Sequence, residues 1–447
     1  DLHSFPTRRS SDLVLKMNVN EAWSKLFEKY DILNKIQSEG AFFITANQIK
    51  EFKEPRLMAK WDSSENLPSI FKKHNINILP ISRNGYVLSD FKLYEPIPEL
   101  GEHITEMQKV EIPEYETIDI GNISSEANAI NVLMLSKILD DFLDEDDNVA
   151  TFNGRMGTGI FSFRVDRHRG SSFKVDVKNA QCEIDGGMEN NNSVVILEAK
   201  NVVHPDFHIR QLYYPYRLWA SKVVKPIRLV FSIYSNQIYR LFEYVFEDKD
   251  NYSSIRLVKS KNYSLQDTDI ALNELYDVYS DVKVIYDDNQ NNTNIPFIQA
   301  NSFERIISLM EILFEENKTT EEIAEIMEFD LRQSNYYYNA GKYLGLFEKK
   351  DVEDEEKIVK KVSLSKLGKD TVKLRYKERQ LKLVSLILEH EIFNRLFIKV
   401  YNSGELSTKE EIQNIMRENN VCNEGQIVRR SSSVYSWLKW IFNLQNI

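Results

Sequence analysis

The sequence QCEIDGGMENNNSVVILEAK, residues 181–200, decides how the middle of this chain folds. Both ends of the stretch are rich in residues that favour strands, and the Gly- and Asn-rich segment 186–193 between them is typical of a hairpin loop. The run 194–197 is apolar throughout, which indicates a buried strand. The stretch therefore predicts a β-hairpin inside the core of an α/β domain.

Two carboxylates and one ammonium group are expected to meet at the end of this hairpin. Side chains alternate between the two faces of a strand, so Glu198 and Lys200 point the same way while Leu197 and Ala199 point into the core. Asp185 ends the first strand and is expected across the pair from Glu198. An unpaired Glu and Lys on a buried strand would be costly, so these side chains need partners.

This set of groups has the chemistry of a magnesium site. Clustered carboxylates repel each other unless a cation lies between them. Oxygen ligands with open positions suit Mg²⁺, which keeps water molecules and takes phosphate oxygens from a substrate. Such a metal polarises the phosphoryl group and holds an attacking water, and a neighbouring lysine orients that water and offsets charge. The residues therefore predict metal-assisted hydrolysis of a phosphodiester, with an ordinary salt-bridged hairpin as the alternative.

The same pattern resembles the PD-(D/E)XK nuclease superfamily, whose signature is an acid at a strand end, a hairpin, and acid-X-lysine on the next strand. Asp185 matches the first acid, Glu198 the second and Lys200 the lysine. Ile184 stands where the signature has proline, a departure that leaves the metal ligands unchanged. The resemblance implies an α/β nuclease core, with a mixed sheet flanked by helices, that binds Mg²⁺ through Asp185 and Glu198.

Further residues around the hairpin resemble type II restriction endonucleases of this superfamily. In the segment 206–217, DFHIRQLYYPYR, the resemblance implies a helix that offers Gln211 to the site. Glu126, on a preceding helix, resembles the extra carboxylate that some of these nucleases supply to the metal. Glu183 shares the strand of the first acid and is a rival for that role.

The middle of the chain is basic although the whole chain is acidic. Between residues 150 and 240 there are thirteen Lys or Arg against seven Asp or Glu, in a chain whose net charge is −11. Clustered positive charge is the electrostatic pattern of a surface that contacts a phosphate backbone. Arg155 and Arg210 are expected DNA contacts, and a charged face without a partner is the alternative. His204 and His208 are expected to be solvated or DNA-facing rather than zinc ligands.

A weak internal repeat lies in the mainly helical last third of the chain. TTEEI at 319–323 recurs as TKEEI at 408–412, and each copy leads through a polar turn to an aromatic-rich helix. A capped helix, a turn and a second helix form the helix-turn-helix arrangement, in which the second helix can enter a major groove. Alternating apolar and charged residues after the first copy suit a β-wing. Arg429 and Arg430 are candidate DNA contacts, and a helical bundle without a partner is the alternative.

Length and composition divide the chain into three regions. The 447 residues correspond to about three domains at roughly 150 residues each. We expect an N-terminal α+β region over 17–120, possibly involved in DNA recognition, the nuclease core over 121–290, and a mainly α winged-helix region over 301–447. Residues 1–16 lack periodicity and are expected to be non-native or disordered. Two cysteines cannot build a disulfide framework and no apolar run suits a membrane span, so we expect a cytoplasmic protein without membrane partners.

Together with the resemblance, these features predict a prokaryotic type II restriction endonuclease. The expected reaction is Mg²⁺-dependent cleavage of double-stranded DNA at a specific sequence, leaving 5′-phosphates. Cutting both strands of a symmetric site implies a homodimer, and the family implies a cognate DNA methyltransferase for the same site. Two alternatives stay open: a repair or modified-DNA nuclease of the same superfamily, and a non-catalytic winged-helix regulator in which the hairpin is only scaffold.

Overall fold

A computed structural model of the protein describes residues 17–100, 104–106, 115–118, 120–121, 123, 125–285, 296–328, 330–354 and 357–446. The expectation for residues 1–16 lies outside these ranges. The helices are α1 (Val19–Tyr30), α2 (Ile32–Glu39), α3 (Ala46–Lys50), α4 (Pro55–Met58), α5 (Ser69–His74), α6 (Glu126–Leu135), α7 (Ile138–Leu143), α8 (Arg210–Trp219), α9 (Leu272–Asp281), α10 (Phe303–Glu315), α11 (Thr320–Ile326), α12 (Leu331–Tyr343), α13 (Lys366–Val372), α14 (Tyr376–Leu388), α15 (Glu391–Ser403), α16 (Lys409–Glu418) and α17 (Glu424–Asn443). The strands are β1 (Phe42–Thr45), β2 (Asn77–Pro80), β3 (Gly85–Ser89), β4 (Tyr94–Pro96), β5 (Ile104–Glu106), β6 (Val149–Gly157), β7 (Ile160–Val165), β8 (Phe173–Lys178), β9 (Gln181–Glu189), β10 (Val194–Lys200), β11 (Asp206–His208), β12 (Ile227–Ser235), β13 (Ile238–Phe246), β14 (Ile255–Ser264), β15 (Phe347–Asp354) and β16 (Lys357–Leu364).

A seven-stranded mixed sheet forms the centre of the molecule. Its strand order is β5-β14-β13-β12-β10-β9-β6, in which β10 runs parallel to β12 and β14 parallel to β5, while the other neighbours are antiparallel. Helices α6 and α7 cover one face and pack in one cluster with Val195, Leu197 and Ala199 of β10. Helix α8 covers the other face, against Ile196. The expected α/β class, with a mixed sheet between helices, is confirmed.

The N-terminal region contains a three-stranded antiparallel sheet, in the order β1-β3-β2, which packs against α1 to α5. Trp23 and Phe71 lie at the centre of its core, with ring centroids 4.8 Å apart. Sequence periodicity predicts one helix over 20–38, but the chain turns at Asp31, whose φ of 51° separates α1 from α2. Strands β4 and β5 lie within 17–120 yet pair with β11 and β14, so this part of the chain is joined to the middle region.

The C-terminal region repeats one helical arrangement. Thr319 caps α11 and Thr408 caps α16, and each forms a capping box with a glutamate three residues later, Glu322 or Glu411. Helices α12 and α17 follow, and β15 pairs with β16 as an antiparallel hairpin after α12. The predicted helices, turns and hairpin therefore occur at their expected places. Within the described ranges, no helix has the length and apolar composition needed to cross a membrane.

Candidate active site

The predicted charged residues of the hairpin meet at the end of β10. Lys200 Nζ donates to Glu198 Oε1 over 2.7 Å, on the side of the sheet that α8 covers, whereas Leu197 and Ala199 pack with α6 and α7. Glu198 is 6% exposed and the Lys200 side chain is 15% exposed, so the two form a buried ion pair. The alternation predicted from the sequence is confirmed.

Asp185 lies on β9 beside this ion pair. The pairing of β9 with β10 is regular as far as Leu197 opposite Gly186. Beyond that point the amide of Ala199 donates to Asp185 Oδ2 over 2.9 Å, so a side-chain acceptor satisfies this strand amide. Asp185 is close enough for its charge to act on Glu198. The expectation that Asp185 ends the first strand is wrong, because β9 continues through Gly186 and Gly187 to Glu189. Two carboxylates and an ammonium group nevertheless lie close together where β10 ends beside the middle of β9.

Gln211 reaches the same site from the first turn of α8. Its Nε2 donates to Glu198 Oε1 over 2.5 Å, and its Oε1 is buried without a hydrogen-bond partner among the described residues. The helix begins at Arg210, two residues after the end of β11. Gln211 therefore lies in its first turn, from which its side chain reaches Glu198 on β10. A buried amide oxygen without a donor is costly, so Gln211 is oriented for one further contact inside the site.

Two further carboxylates, which the sequence analysis missed, belong to the site. Asp62, in the loop after α4, is 9% exposed and interacts electrostatically with Lys200. Glu328, in the turn between α11 and α12, accepts a hydrogen bond from Asn66 Nδ2 over 2.9 Å and is close enough to Asp62 for their charges to interact. Their local sequence, such as WDSSEN at 61–66, is typical of any polar loop and carries no signal for a site.

The site holds more negative than positive charge. Its carboxylates are Asp62, Glu126, Asp185, Glu198 and Glu328, and its cationic side chains are Lys60, Lys200 and Arg210. Burial raises the pKa of Glu198 well above its ordinary value, and Asp185 adds to this effect while Lys200 opposes it. Burial alone would lower the pKa of Lys200, but Glu198 and the other carboxylates raise it. Both directions indicate that one more positive charge would stabilise the site.

The carboxylates of Asp185 and Glu198 fit a Mg²⁺ ion. Mg²⁺ binds proteins through one or two carboxylates and completes its octahedron with water and phosphate oxygens. Within the described part of the chain, no three His, Cys, Asp or Glu side chains converge as a preformed metal cage. An ion held by Asp185 and Glu198 would therefore keep open positions. Glu126 Oε1 lies 4.0 Å from Lys200 Nζ, at the edge of this set.

The remaining predicted residues of the middle region lie at the rim. Glu126 begins α6 and its side chain is half-exposed beside Lys200. Arg210 begins α8 and is partly buried, near enough to Asp62 to act on its pKa. Arg155 is exposed on β6 and pairs with Glu183 over 3.2 Å. The rival carboxylate Glu183 is therefore engaged on the exposed surface of the sheet.

Arginines and histidines that were predicted to face DNA differ in their exposure. Arg429 is exposed on α17, with its guanidinium 5.6 Å from the ring centre of Tyr336 on α12. Arg430 is only 9% exposed, so the structure does not support it as a DNA contact. The expectation that His204 and His208 are solvated or DNA-facing is wrong, because both are buried and burial lowers the pKa of each to about 3.

Acidic partners neutralise most of the positive charge between residues 150 and 240. Nine of the thirteen cationic side chains form ion pairs: Arg155, Arg164, Arg167, Lys174, Lys200, Arg217, Lys225, Arg228 and Arg240. Several of the acids, such as Asp90 and Asp248, come from other parts of the chain. The local charge excess therefore does not by itself define a surface for a phosphate backbone, which corrects the interpretation from sequence.

In the absence of metal, we expect Glu328 to contribute stability at about pH 5 that is lost as the pH rises to about 8. Burial and the charge of Asp62 raise the pKa of Glu328 from 4.5 to about 8. Between these values the folded carboxyl keeps a proton that the unfolded chain has released, so its contribution to the free energy of unfolding falls by up to about 1.4 kcal/mol per pH unit. Urea unfolding in EDTA at several pH values measures this slope. Buried His204 and His208 act in the opposite direction below a pH of about 6.5, but both proteins share them, so their effect cancels in a comparison with Glu328→Gln. The stability of the wild type relative to Glu328→Gln should fall as the pH rises, and a constant difference would contradict the assignment.

Three family models match successive parts of the chain, and each is described as a domain of unknown function: DUF6996 over residues 20–88, DUF6997 over 89–264 and DUF7226 over 305–446. The middle match contains the whole hairpin and ends with the last residue of β14. No curated protein and no solved structure matches the chain significantly. These descriptions name no activity, so the chemistry of the site carries the functional proposal.

Proposed function

We propose that this protein is a Mg²⁺-dependent nuclease that hydrolyses phosphodiester bonds of double-stranded DNA at a specific sequence and leaves 5′-phosphates. In this proposal it is a type II restriction endonuclease with a PD-(D/E)XK core. The observation that carries the proposal is the arrangement at the end of β10, where Glu198 binds both Lys200 and Gln211 next to Asp185 on the neighbouring strand. An ordinary surface salt bridge has no need of this burial or of the second carboxylate.

Asp185 and Glu198 would hold the Mg²⁺ ion, and Glu126 would line the opening beside them. When bound, Mg²⁺ polarises the scissile phosphate and lowers the pKa of a coordinated water. The two carboxylates would hold the ion in a fixed position because each is itself held by a hydrogen bond. The backbone amide of Ala199 donates to Asp185, and the side-chain amide of Gln211 donates to Glu198. The chain thus orders both ligands before a substrate arrives.

Lys200 and Gln211 would act on the substrate side of the metal ligands. The surrounding carboxylates raise the pKa of Lys200, so its ammonium group stays charged and can donate to a water or to a phosphate oxygen. A charged ammonium cannot accept a proton, so we assign Lys200 to orienting the water and offsetting negative charge. The buried, unpartnered Oε1 of Gln211 is placed to accept a hydrogen bond from the same water.

The C-terminal region would supply much of the DNA contact. Helix α12 is the second helix of a helix-turn-helix followed by a hairpin, the arrangement of a winged helix. Arg332 and Asn335 are exposed on α12, and these residue types read guanine and adenine edges. The turn before α12 carries Glu328 into the active site. DNA held by α12 would therefore run close to the cleavage centre, with Arg210 and Arg155 beside it.

Cleavage of both strands of a symmetric site requires two active sites related by a two-fold axis. We therefore propose that two copies of the chain act together on DNA. A cognate methyltransferase would protect the same sequence in the host, and this partner acts through the DNA rather than by necessary physical contact.

Digestion of a large unmethylated phage DNA by the purified protein, with Mg²⁺ and with EDTA, tests the function. We expect discrete fragments with Mg²⁺ and intact DNA with EDTA, because the carboxylates need the ion to bind a phosphate. A smear would indicate a non-specific or structure-directed nuclease instead of a sequence-specific one. Intact DNA in both samples, on methylated and modified substrates as well, would contradict the nuclease and favour the non-catalytic regulator.

A further inference from the structure

A second pair of carboxylates lies beside the proposed catalytic ligands, between the N-terminal and C-terminal regions. Asp62 comes from the loop after α4, and Glu328 comes from the turn between α11 and α12. Asn66 Nδ2 donates to Glu328 Oε2, a contact that bridges 262 residues of sequence. The loop is held in place because the amide of His208 donates to the carbonyl oxygen of Asp62 over 2.8 Å. The two carboxylates are thus brought together by packing and not by a local motif.

Two oxygen atoms of this group lack the donors that buried acceptors need. Asp62 Oδ1 and Asn66 Oδ1 are buried, and neither has a hydrogen-bond partner among the described residues. The amide nitrogen of Asn66 is used by Glu328, which fixes its oxygen as the free end of the side chain. Buried acceptors without donors destabilise a fold. Such atoms are expected where a water or a cation completes the structure.

The charges at this position also call for a cation. Asp62 and Glu328 are close enough for their negative charges to act on each other, and positive charge between them would relieve this repulsion. The buried Lys200 acts on both carboxylates through its charge, but its ammonium group already donates to Glu198 over 2.7 Å. Lys60 is exposed, so it offers only screened compensation. Oxygen-only ligands of carboxylate and amide type are those that Mg²⁺ and Mn²⁺ prefer.

We propose that Asp62, Glu328 and the amide oxygen of Asn66 form a second divalent-cation subsite, distinct from the one assigned to Asp185 and Glu198. Mg²⁺ or Mn²⁺ there ties the N-terminal loop to the turn that precedes α12. The ion therefore fixes the position of the helix-turn-helix relative to the cleavage centre. The subsite goes beyond the nuclease reaction, since it depends on ligand geometry and not on hydrolysis.

Counting bound Mn²⁺ on the full-length protein tests the proposal directly, with free Mn²⁺ measured by electron paramagnetic resonance. The wild type should bind two ions per chain. Asp62→Asn and Glu328→Gln should each bind one, and Glu198→Gln should lose the other. Glu325→Gln removes an exposed carboxylate from α11, three residues before Glu328, and as the matched control should still bind two.

Hydrogen exchange tests whether the second ion binds at these particular segments, which a change in overall Mn²⁺ affinity would not show. Mn²⁺ should slow amide exchange in the loop that holds Asp62 and in the turn that holds Glu328, in the wild type and in Glu198→Gln but not in Glu328→Gln. Cooperative thermal unfolding in EDTA shows that each variant is folded.

Three results separate this proposal from the nuclease. Unchanged Mn²⁺ stoichiometry in both Asp62→Asn and Glu328→Gln overturns the subsite. If the wild type binds only one ion, and Glu198→Gln abolishes its binding, the second subsite is also overturned. The assignment of Asp185 and Glu198 as catalytic metal ligands would still stand in that case. Loss of one ion in Glu328→Gln supports the subsite even if the wild type cuts no DNA.

Discussion

Replacing Glu198 with glutamine should abolish DNA cleavage, with a fall in rate on the order of 10³-fold or more, while DNA binding persists. The substitution keeps the shape of the side chain and its contacts with Lys200 and Gln211, but it removes the charge that would hold the metal. The measurement is single-turnover cleavage of a mapped DNA site in Mg²⁺, with binding measured separately by gel shift in Ca²⁺.

Glu183→Gln is the matched control for this variant. Glu183 lies on the same hairpin as Asp185, but it is half-exposed and pairs with Arg155 on the outer surface. Its loss should change cleavage less than about twofold, because a surface ion pair contributes little. A fully active Glu198→Gln protein would refute the proposed mechanism, whatever the control does.

Replacing Lys200 with methionine should both abolish cleavage and destabilise the protein by about 3 kcal/mol in EDTA at pH 7. Methionine keeps much of the aliphatic volume but leaves the Glu198 carboxylate buried, with only Gln211 as a hydrogen-bond partner among the described residues. The unpaired charge must then be desolvated or neutralised by a proton, and either change costs free energy. Urea unfolding followed by circular dichroism measures the loss.

A double-mutant cycle separates the lost charge pair from lost packing. In the protein that carries both Lys200→Met and Glu198→Gln, both charges of the buried ion pair are removed together, so most of the stability should return. Lys178→Met, at the exposed end of β8, controls for replacing a strand lysine by methionine and should be nearly neutral. Equal destabilisation in the single and double variants would mean that Lys200 stabilises the core by packing alone.

The site is assembled where the three regions of the chain meet. Asp206, just before α8, accepts hydrogen bonds from Ser63 Oγ and from the amide of Ser64, both over 2.8 Å. On the other side of the same loop, Arg305 of α10 forms an ion pair with Glu65 over 2.6 Å. The loop after α4 is therefore fixed by both the middle and the C-terminal regions, and a change in either region will move Asp62.

Local features of the site follow from short-range patterns. The two-residue period of a strand places Glu198 and Lys200 on one face whatever the rest of the fold does. The turn between the strands is shorter than the sequence predicts, because Gly186 and Gly187 belong to β9 and only the Asn-rich residues 190–193 connect it to β10. Thr319 and Thr408 start their helices because a threonine oxygen and a glutamate three residues later satisfy the free amides of a first turn. These interactions span a few residues, so they can be recognised without knowing the fold.

Tertiary packing alone decided which distant side chains joined the site and which candidates were withdrawn from the surface. The charges of Asp62 and Glu328 act on Lys200 because the N-terminal loop and the helix-turn-helix dock near the same strand end. The sequence does not determine whether the polar side chains of Arg430 and His208 lie on a buried or an exposed face, and the fold buries both. Contacts between segments more than a hundred residues apart depend on the summed packing of whole domains, and no local period in the sequence records them.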